Sequence, residues 1–153
     1  MIKRVKGKNV SKYSPVNIKK YKGQVPIIVR SSWERMFCQW ADMNPNIIEW
    51  SSESITIKYF DPVQKKLRRY YPDFLIKTKN KKGKIEKWLI EVKPYHETIP
   101  PKITKGKSKK TILQQEATYI RNQAKWKAAS NYCTKMKWKF KILTENQLFN
   151  RSG

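Results

Sequence analysis

Asp73, Glu91 and Lys93 are charged residues standing where the surrounding pattern asks for core. Two runs of strand length, rich in aromatic and β-branched residues, flank the polar segment from Asn80 to Lys84 with Gly83 inside it. That pattern predicts an antiparallel hairpin. Asp73 opens the first run, and Glu91 and Lys93 close the second. Side chains alternate along a strand, so Glu91 and Lys93 share one face while Trp88, Ile90 and Val92 take the other. If Asp73 lies on the neighbouring strand and the same face, two carboxylates and a lysine converge. Such a group suits a hard divalent cation and a water. Mg²⁺ keeps several of its own waters, so two or three carboxylates and a carbonyl suffice to hold it, with Mn²⁺ as a substitute. A lysine beside the ion favours a hydroxide-like nucleophile, and the ion should depress the lysine's own pKa. The bland alternative is a partly buried ion pair in which Lys93 neutralises both acids.

Several elements must position this group. From Ser31, the residues Trp33, Met36, Phe37, Trp40 and Ala41 recur at helical spacing, and Pro45 marks the end. Ser31 and Glu34 fit a capping box. Glu34 also borders the apolar stripe, so its carboxylate could reach the sheet edge; cap and metal ligand both stay open. Ile47 to Phe60 reads as a strand, clearest in Ile55, Ile57 and Tyr59, and Leu67 to Thr78 as the strand carrying Asp73. Pro72 lacks an N–H and belongs at a strand start, edge or bulge. Thr111 to Cys133 reads as a long helix with a Thr111–Gln114 capping box and a stripe of Leu113, Ala117, Ile120, Ala124 and Ala128. Its other faces carry Arg121, Asn122, Lys125 and Lys127, either simply solvated or touching phosphates. Met136 to Ile142 then alternates as a strand with Lys137, Lys139 and Lys141 outward. Leu148 and Phe149 dock the last short segment. The order α-β-β-β-α-β describes an α/β sandwich with a mixed sheet of about four strands and helices on both sides.

The charge balance names a partner class. In 153 residues, 35 Lys and Arg face 11 Asp and Glu, a formal net charge of +24. Phosphate neutralisation by a polyanion, foremost DNA, follows from such a balance. Hydrophobic residues make up 39%, enough for one real core, so this is not a disordered basic tail. Residues 1–29 contain no acid and read as a mostly irregular basic arm. There Lys3, Arg4, Lys6, Lys8, Lys12, Lys19, Lys20 and Lys22 are candidate phosphate contacts, and Tyr13 and Tyr21 either stack on bases or pack back on the domain. A folded domain would span 30–149, with 150–153 as a tail. Residues 94–110 read as a flexible basic loop, either a substrate-gripping flap or a passive insert. Lys105, Lys107, Lys109 and Lys110 there, with Asn122 and Lys125 on the following helix, complete the DNA-binding candidates. Cys38 and Cys133 are far apart and without metal-ligand spacing, pointing to a reduced compartment and buried thiols. His96 is the only histidine, so a metal would rest on carboxylates. No stretch has the length of a membrane span or the form of a signal segment.

Pro72-Asp73 followed by Glu91-Val92-Lys93, in this arrangement of elements, resembles the PD-(D/E)xK nuclease superfamily and its restriction-endonuclease-like fold. A closer resemblance covers nearly the whole chain. Arg30 to Glu34, Ile48 to Glu53, Tyr70 to Phe74, Ile90 to Pro94 and Asn122 to Trp126 are similar to the head-completion nucleases of large contractile-tailed phages, themselves similar to transposon endonuclease subunits. The resemblance implies Asp73 and Glu91 as metal ligands, the Val92 carbonyl as a further ligand, Lys93 as the residue acting on the attacking water, and Glu34 as an additional acid. Gln115 and Tyr119 also match the spacing of a Gln-x-x-x-Tyr signature found on the second helix in other branches.

The expected activity is therefore a Mg²⁺-dependent DNA endonuclease. The resemblance implies that it processes DNA ends during phage head completion, with phage head or neck proteins as partners and the virion or host cytoplasm as its place. A double-strand cut needs two sites, hence a homodimer or two sequential nicks. The alternative is a non-catalytic DNA-binding, head-stabilising protein with a vestigial acidic cluster; a basic RNA-binding protein is a third reading.

Overall fold

A computed structural model describes residues 10–149. Lys3, Arg4, Lys6 and Lys8, and the tail 150–153, lie outside the described residues. The elements run β1 (Ser11–Tyr13), β2 (Ile27–Val29), α1 (Ser32–Met43), β3 (Ile47–Ser52), β4 (Ile57–Asp61), β5 (Lys66–Tyr70), β6 (Phe74–Lys79), β7 (Ile85–Val92), α2 (Lys109–Met136), β8 (Lys139–Leu143) and α3 (Glu145–Leu148). The central sheet has the order β3-β6-β7-β8, antiparallel except for the parallel pair β7 and β8. Helices cover both faces, and α1-β3-β6-β7-α2-β8 reproduces the order expected for a restriction-endonuclease-like sandwich.

The β6–β7 hairpin forms as its turn chemistry dictates. Gly83 takes φ +78°, a left-handed backbone that glycine adopts without a Cβ clash. Asn80 Oδ1 accepts from Lys82 N and Lys84 N, closing the loop locally. Alternation then sends Phe74, Ile76, Ile90 and Val92 into one core with Phe37, Cys38 and Ala41 of α1. Leu89 enters the other core, with Trp126, Ala129 and Cys133 of α2. Both cysteines are buried thiols outside any disulfide.

The two long strands expected on either side of the turn at Asp61 are each broken in two. Glu53 has φ +49°, which takes the chain out of the central sheet after β3. β4 and β5 then pair only with each other, and the chain re-enters the sheet past Pro72. The resulting hairpin is tied to α2 through Asp61. This fully buried carboxylate accepts from Val63 N at 2.8 Å and Gln64 N at 3.2 Å, and from Arg121 Nε at 2.9 Å. Burial alone would raise its pKa, but these donors and the Arg121 charge hold it down at about 2, against an ordinary 3.8. A depressed acid stabilises the fold above its unfolded value and loses that contribution as pH falls through the folded one. Acid titration is therefore expected to weaken the hairpin's hold on α2 as pH falls from 3.8 to about 2. Backbone amide exchange in β4 and β5 should report this, and Asp61→Asn should remove the pH dependence; equal acid sensitivity in that variant would refute the assignment.

Over its described part, the N-terminal segment is not the irregular arm the sequence suggests. β1 and β2 pair antiparallel, and Tyr13 and Tyr21 are buried against Trp50, with ring centroids at 6.1 and 4.8 Å. The anchor is Asp42, fully buried, which accepts from Tyr13 Oη at 2.7 Å, Val16 N at 2.7 Å and Asn17 N at 2.9 Å. Lys20 Nζ donates to the carbonyls of Asp42 and Asn44, at 3.0 and 2.8 Å. Both tyrosines thus pack back on the domain, and Lys20 ties down chain. This segment also shifts the buried face of α1: Phe37, Cys38, Ala41 and Asp42 are inside, while Trp40 is 47% exposed.

The expected face of α2 is corrected too. The helix starts at Lys109 with Ser108 as its N-cap, its Oγ accepting from Thr111 N, in place of the Thr111–Gln114 box. Leu113 and Ile120 are exposed, and Asn122, Trp126, Ala129 and Cys133 form the buried stripe. β8 begins at Lys139, because Lys137 ends the helix in a left-handed conformation and Met136 is still helical. Lys139 is paired with Glu86 at 2.7 Å. Among the described residues, no helix is long and apolar enough to cross a membrane.

Candidate active site

The register of β6 and β7 sets the site. Leu75 faces Leu89 and Phe74 faces Ile90, so continuing the ladder one step brings Asp73 opposite Glu91 on the α2 side. Asp73 stands at the point where the chain re-enters the sheet. Its Oδ2 accepts from Val92 N at 2.8 Å, and its own carbonyl accepts from Glu53 N at 2.9 Å. The position is thus fixed from both neighbouring strands. Lys93 N donates to Leu143 O at 2.9 Å, holding the end of β7 against β8.

Burial and like charge then act on the pair. Burial, the neighbouring Glu91 charge and, more weakly, Glu53 push Asp73 well above the usual carboxylate range, against the pull of Val92 N–H and Lys93. Burial also raises Glu91, against Lys93, the Tyr70 hydroxyl and Lys125. Burial on its own would lower the Lys93 ammonium, but Glu91, Asp73, Glu97 and Glu34 outweigh it and the net shift is upward. The expected depression of Lys93 presupposes a cation beside it; facing four carboxylates alone, the lysine holds its proton more tightly.

Asp73, Glu91 and Lys93 therefore come together as the alternation requires, with Val92 between the last two. Glu34 is only partly drawn in. Ser31 Oγ accepts from Glu34 N at 3.1 Å, which is the capping half of the box, and Glu34 Oε1 accepts from Arg30 N at 3.4 Å. Its charge is felt at Lys93. Among the described residues no three Asp, Glu, His or Cys side chains form a metal-holding group.

Three residues at the site carried no role in the sequence reading. Tyr70, at the end of β5, is buried beside the pair; burial and the Glu91 and Asp73 charges drive its phenol far up. Glu53 is ion-paired to Arg30 at 2.6 Å and lies next to Asp73. Trp126 of α2 is near enough to the Tyr70 hydroxyl to act on it. Glu53, Tyr70 and Trp126 lie in the stretches Ile48 to Glu53, Tyr70 to Phe74 and Asn122 to Trp126 that carry the family resemblance, and that resemblance is the signal they leave in the sequence. Lys125, expected on an outer face, instead turns inward. Its Nζ lies 5.7 Å from the Tyr70 ring centroid and 5.9 Å from that of Tyr59, and burial and then the Lys93 charge lower its pKa. Asn122 is buried one turn earlier.

The donor set can be tested against a metal. Glu91 Oε1, Tyr70 Oη and Trp126 Nε1 are buried and make no hydrogen bond of ordinary geometry among the described residues. Even with Lys93, Lys125 and the Tyr70 hydroxyl acting on it, burial raises Glu91, and Asp73 beside it is raised further. Two carboxylates and a nearby carbonyl are hard oxygen donors, which fit Mg²⁺ or Mn²⁺ and lack the nitrogen and sulfur that zinc favours.

The remaining basic candidates divide. Lys12, Lys19, Lys22, Lys105, Lys109 and Lys110 are exposed. Lys107 Nζ donates to Lys102 O at 2.8 Å and Gln115 Oε1 at 2.9 Å, tying the 94–108 segment to α2.

Residues 44–145 match the family model described as TnsA-like endonuclease N terminal. The chain is 40% identical over 142 residues to the head completion nuclease of Enterobacteria phage T4, a match covering 90% of this chain and 91% of that one. No solved structure matches the chain.

Proposed function

Because this chain belongs to the TnsA-like endonuclease N-terminal family, we propose that it is a metal-dependent endonuclease hydrolysing phosphodiester bonds of DNA, and that it processes DNA ends during phage head completion, before tail attachment. The observation that carries the catalytic reading is the pair of the half-buried Asp73 and the buried Glu91 facing Lys93, two carboxylates that burial raises and whose charges Lys93 answers. In a chain of net charge +24, two adjacent acids, one buried and one half-buried, would repel the very ligand the rest of the surface attracts, unless they hold a cation.

Asp73 and Glu91 would hold Mg²⁺, or Mn²⁺ in its place, with the Val92 carbonyl completing the protein donors. When bound, the ion supplies positive charge at the phosphoryl oxygens and acidifies water. Lys93 donates to the attacking water, holding it in line with the phosphorus, or to a non-bridging phosphate oxygen, offsetting its charge. Lys125 adds a second cation above Tyr70, where charge builds up on the phosphate. Val92 N–H keeps Asp73 from rotating away. Glu34 contributes through its field at Lys93, favouring the protonated amine. Head or neck proteins are the partners this role requires, and a double-strand cut calls for a second copy of the site.

The test is nicking of supercoiled plasmid. The wild-type protein should nick with Mg²⁺ or Mn²⁺ and stop in EDTA. If neither metal supports cutting of supercoiled, linear, gapped or branched DNA while binding persists, the head-stabilising DNA-binding reading replaces this one.

A further inference from the structure

A cavity of about 740 Å³ opens between the segment after Lys93 and the first half of α2. Its walls include Tyr95, Lys107, Gln114, Thr118, Tyr119 and Asn122. The cavity borders the site at two points. Glu97, also in the wall, is felt at Lys93, and Asn122 lies one helical turn from Lys125, whose charge acts on Glu91.

The lining chemistry differs from that of the outer surface. A face that meets duplex backbone needs cations, and this protein has many. Here two tyrosine rings, three amides and two threonine hydroxyls stand beside one carboxylate, Glu97, and two lysines, of which Lys107 is already bonded to Lys102 O and Gln115 Oε1. Aromatic faces and neutral hydrogen-bonding groups are what an unstacked base asks for: a ring to stack on and partners for its edge. The volume lies within the range of about 300–1,000 Å³ that takes a ligand of small-molecule size, and a duplex does not enter such a space.

We propose that this cavity receives an unpaired nucleotide of the DNA substrate, so that the protein selects ends with overhangs, gaps and frayed junctions over intact duplex. The proposal rests on the nuclease reading above and deepens it. With a base seated between Tyr95 and Tyr119, the adjoining phosphate is directed toward Lys93.

The test is binding in EDTA, where nothing is cut. Two short DNAs with equal numbers of phosphates are compared, one blunt and one carrying a single-stranded overhang with 2-aminopurine in it. The wild-type protein should bind the overhang DNA about ten-fold more tightly and change the 2-aminopurine emission by stacking. Tyr95→Ala and Tyr119→Ala should each bring the ratio of affinities toward one and abolish the emission change. Tyr95 is half exposed, so its replacement tests the cavity even if Tyr119→Ala disturbs α2. Equal wild-type affinity for the two DNAs, or an unchanged ratio in folded Tyr95→Ala, overturns the proposal. Loss of preference alongside intact Mg²⁺-dependent nicking removes only the cavity. Preference without nicking of any substrate supports the cavity and removes the nuclease reading.

Discussion

Asp73→Asn is expected to cut DNA at least ~10³-fold more slowly than the wild type and, in the absence of metal, to melt at a higher temperature. The two effects have one cause. Asp73 is held well above its usual pKa by burial and by Glu91, so its folded form binds a proton more tightly than the unfolded chain does. For such a group, stability falls as pH rises above the unfolded value of 3.8, until the folded carboxyl has ionised. At neutral pH the wild-type protein therefore bears a strain that the neutral amide relieves. The amide oxygen can still accept from Val92 N, so the local fold is kept. Mg²⁺ should raise the melting temperature of the wild type, by occupying the pair, and leave that of Asp73→Asn unmoved. Lys93→Ala should also lose cleavage, but with the opposite effect on stability, since it strips the acids of their compensating charge. Melting curves with and without Mg²⁺, beside nicking assays at matched DNA occupancy, decide the matter. An Asp73→Asn protein that cuts like the wild type would refute the site, and one that melts lower without metal would refute the like-charge account.

DNA affinity is expected to fall steeply with salt, by about 10³ to 10⁵ between 50 and 200 mM if six to ten phosphates are neutralised, and to depend little on base sequence. The structure limits how much of the +24 can contribute. Arg30 is committed to Glu53, Arg68 and Arg121 to Asp61, and Lys139 to Glu86. Lys20 is committed to helix-end carbonyls, and Lys93 and Lys125 face the acidic pair. The exposed lysines carry the rest, Lys109 and Lys110 at the start of α2 among them. Each of Lys109→Ala and Lys110→Ala should reduce the slope of log affinity against log salt by about 0.9. Fluorescence anisotropy over a salt series on two unrelated DNA sequences gives these slopes. A shallow slope, or a footprint on one sequence that persists at high salt, would point away from backbone-directed binding.

Some of this was legible in the chain itself. Strand alternation and the Asn80–Lys84 turn are local, so the β6–β7 hairpin and the meeting of Asp73 with Glu91 and Lys93 could be read from spacing. The family resemblance rests on the same residues, and the family match and the order of elements bear it out. Periodicity failed where a polar residue is buried by something distant in sequence. Asp42 has the look of a surface charge on α1 until Tyr13, Val16 and Asn17, 25 to 29 residues earlier in the chain, fold over it. Asn122 and Lys125 look solvated on α2, because a count of apolar residues favours the side bearing Leu113 and Ile120. The face opposite that helix carries two carboxylates, and buried charge must be answered by polar partners, which turns the helix over. The breaks at Glu53 and Pro72, which lift β4 and β5 out of the central sheet, likewise depend on which strand each segment pairs with. Sequence by itself determined which residues could do chemistry and the order of the elements carrying them. Tertiary structure decided their surroundings, because the environment of a buried polar group is made by chain that only folding brings near.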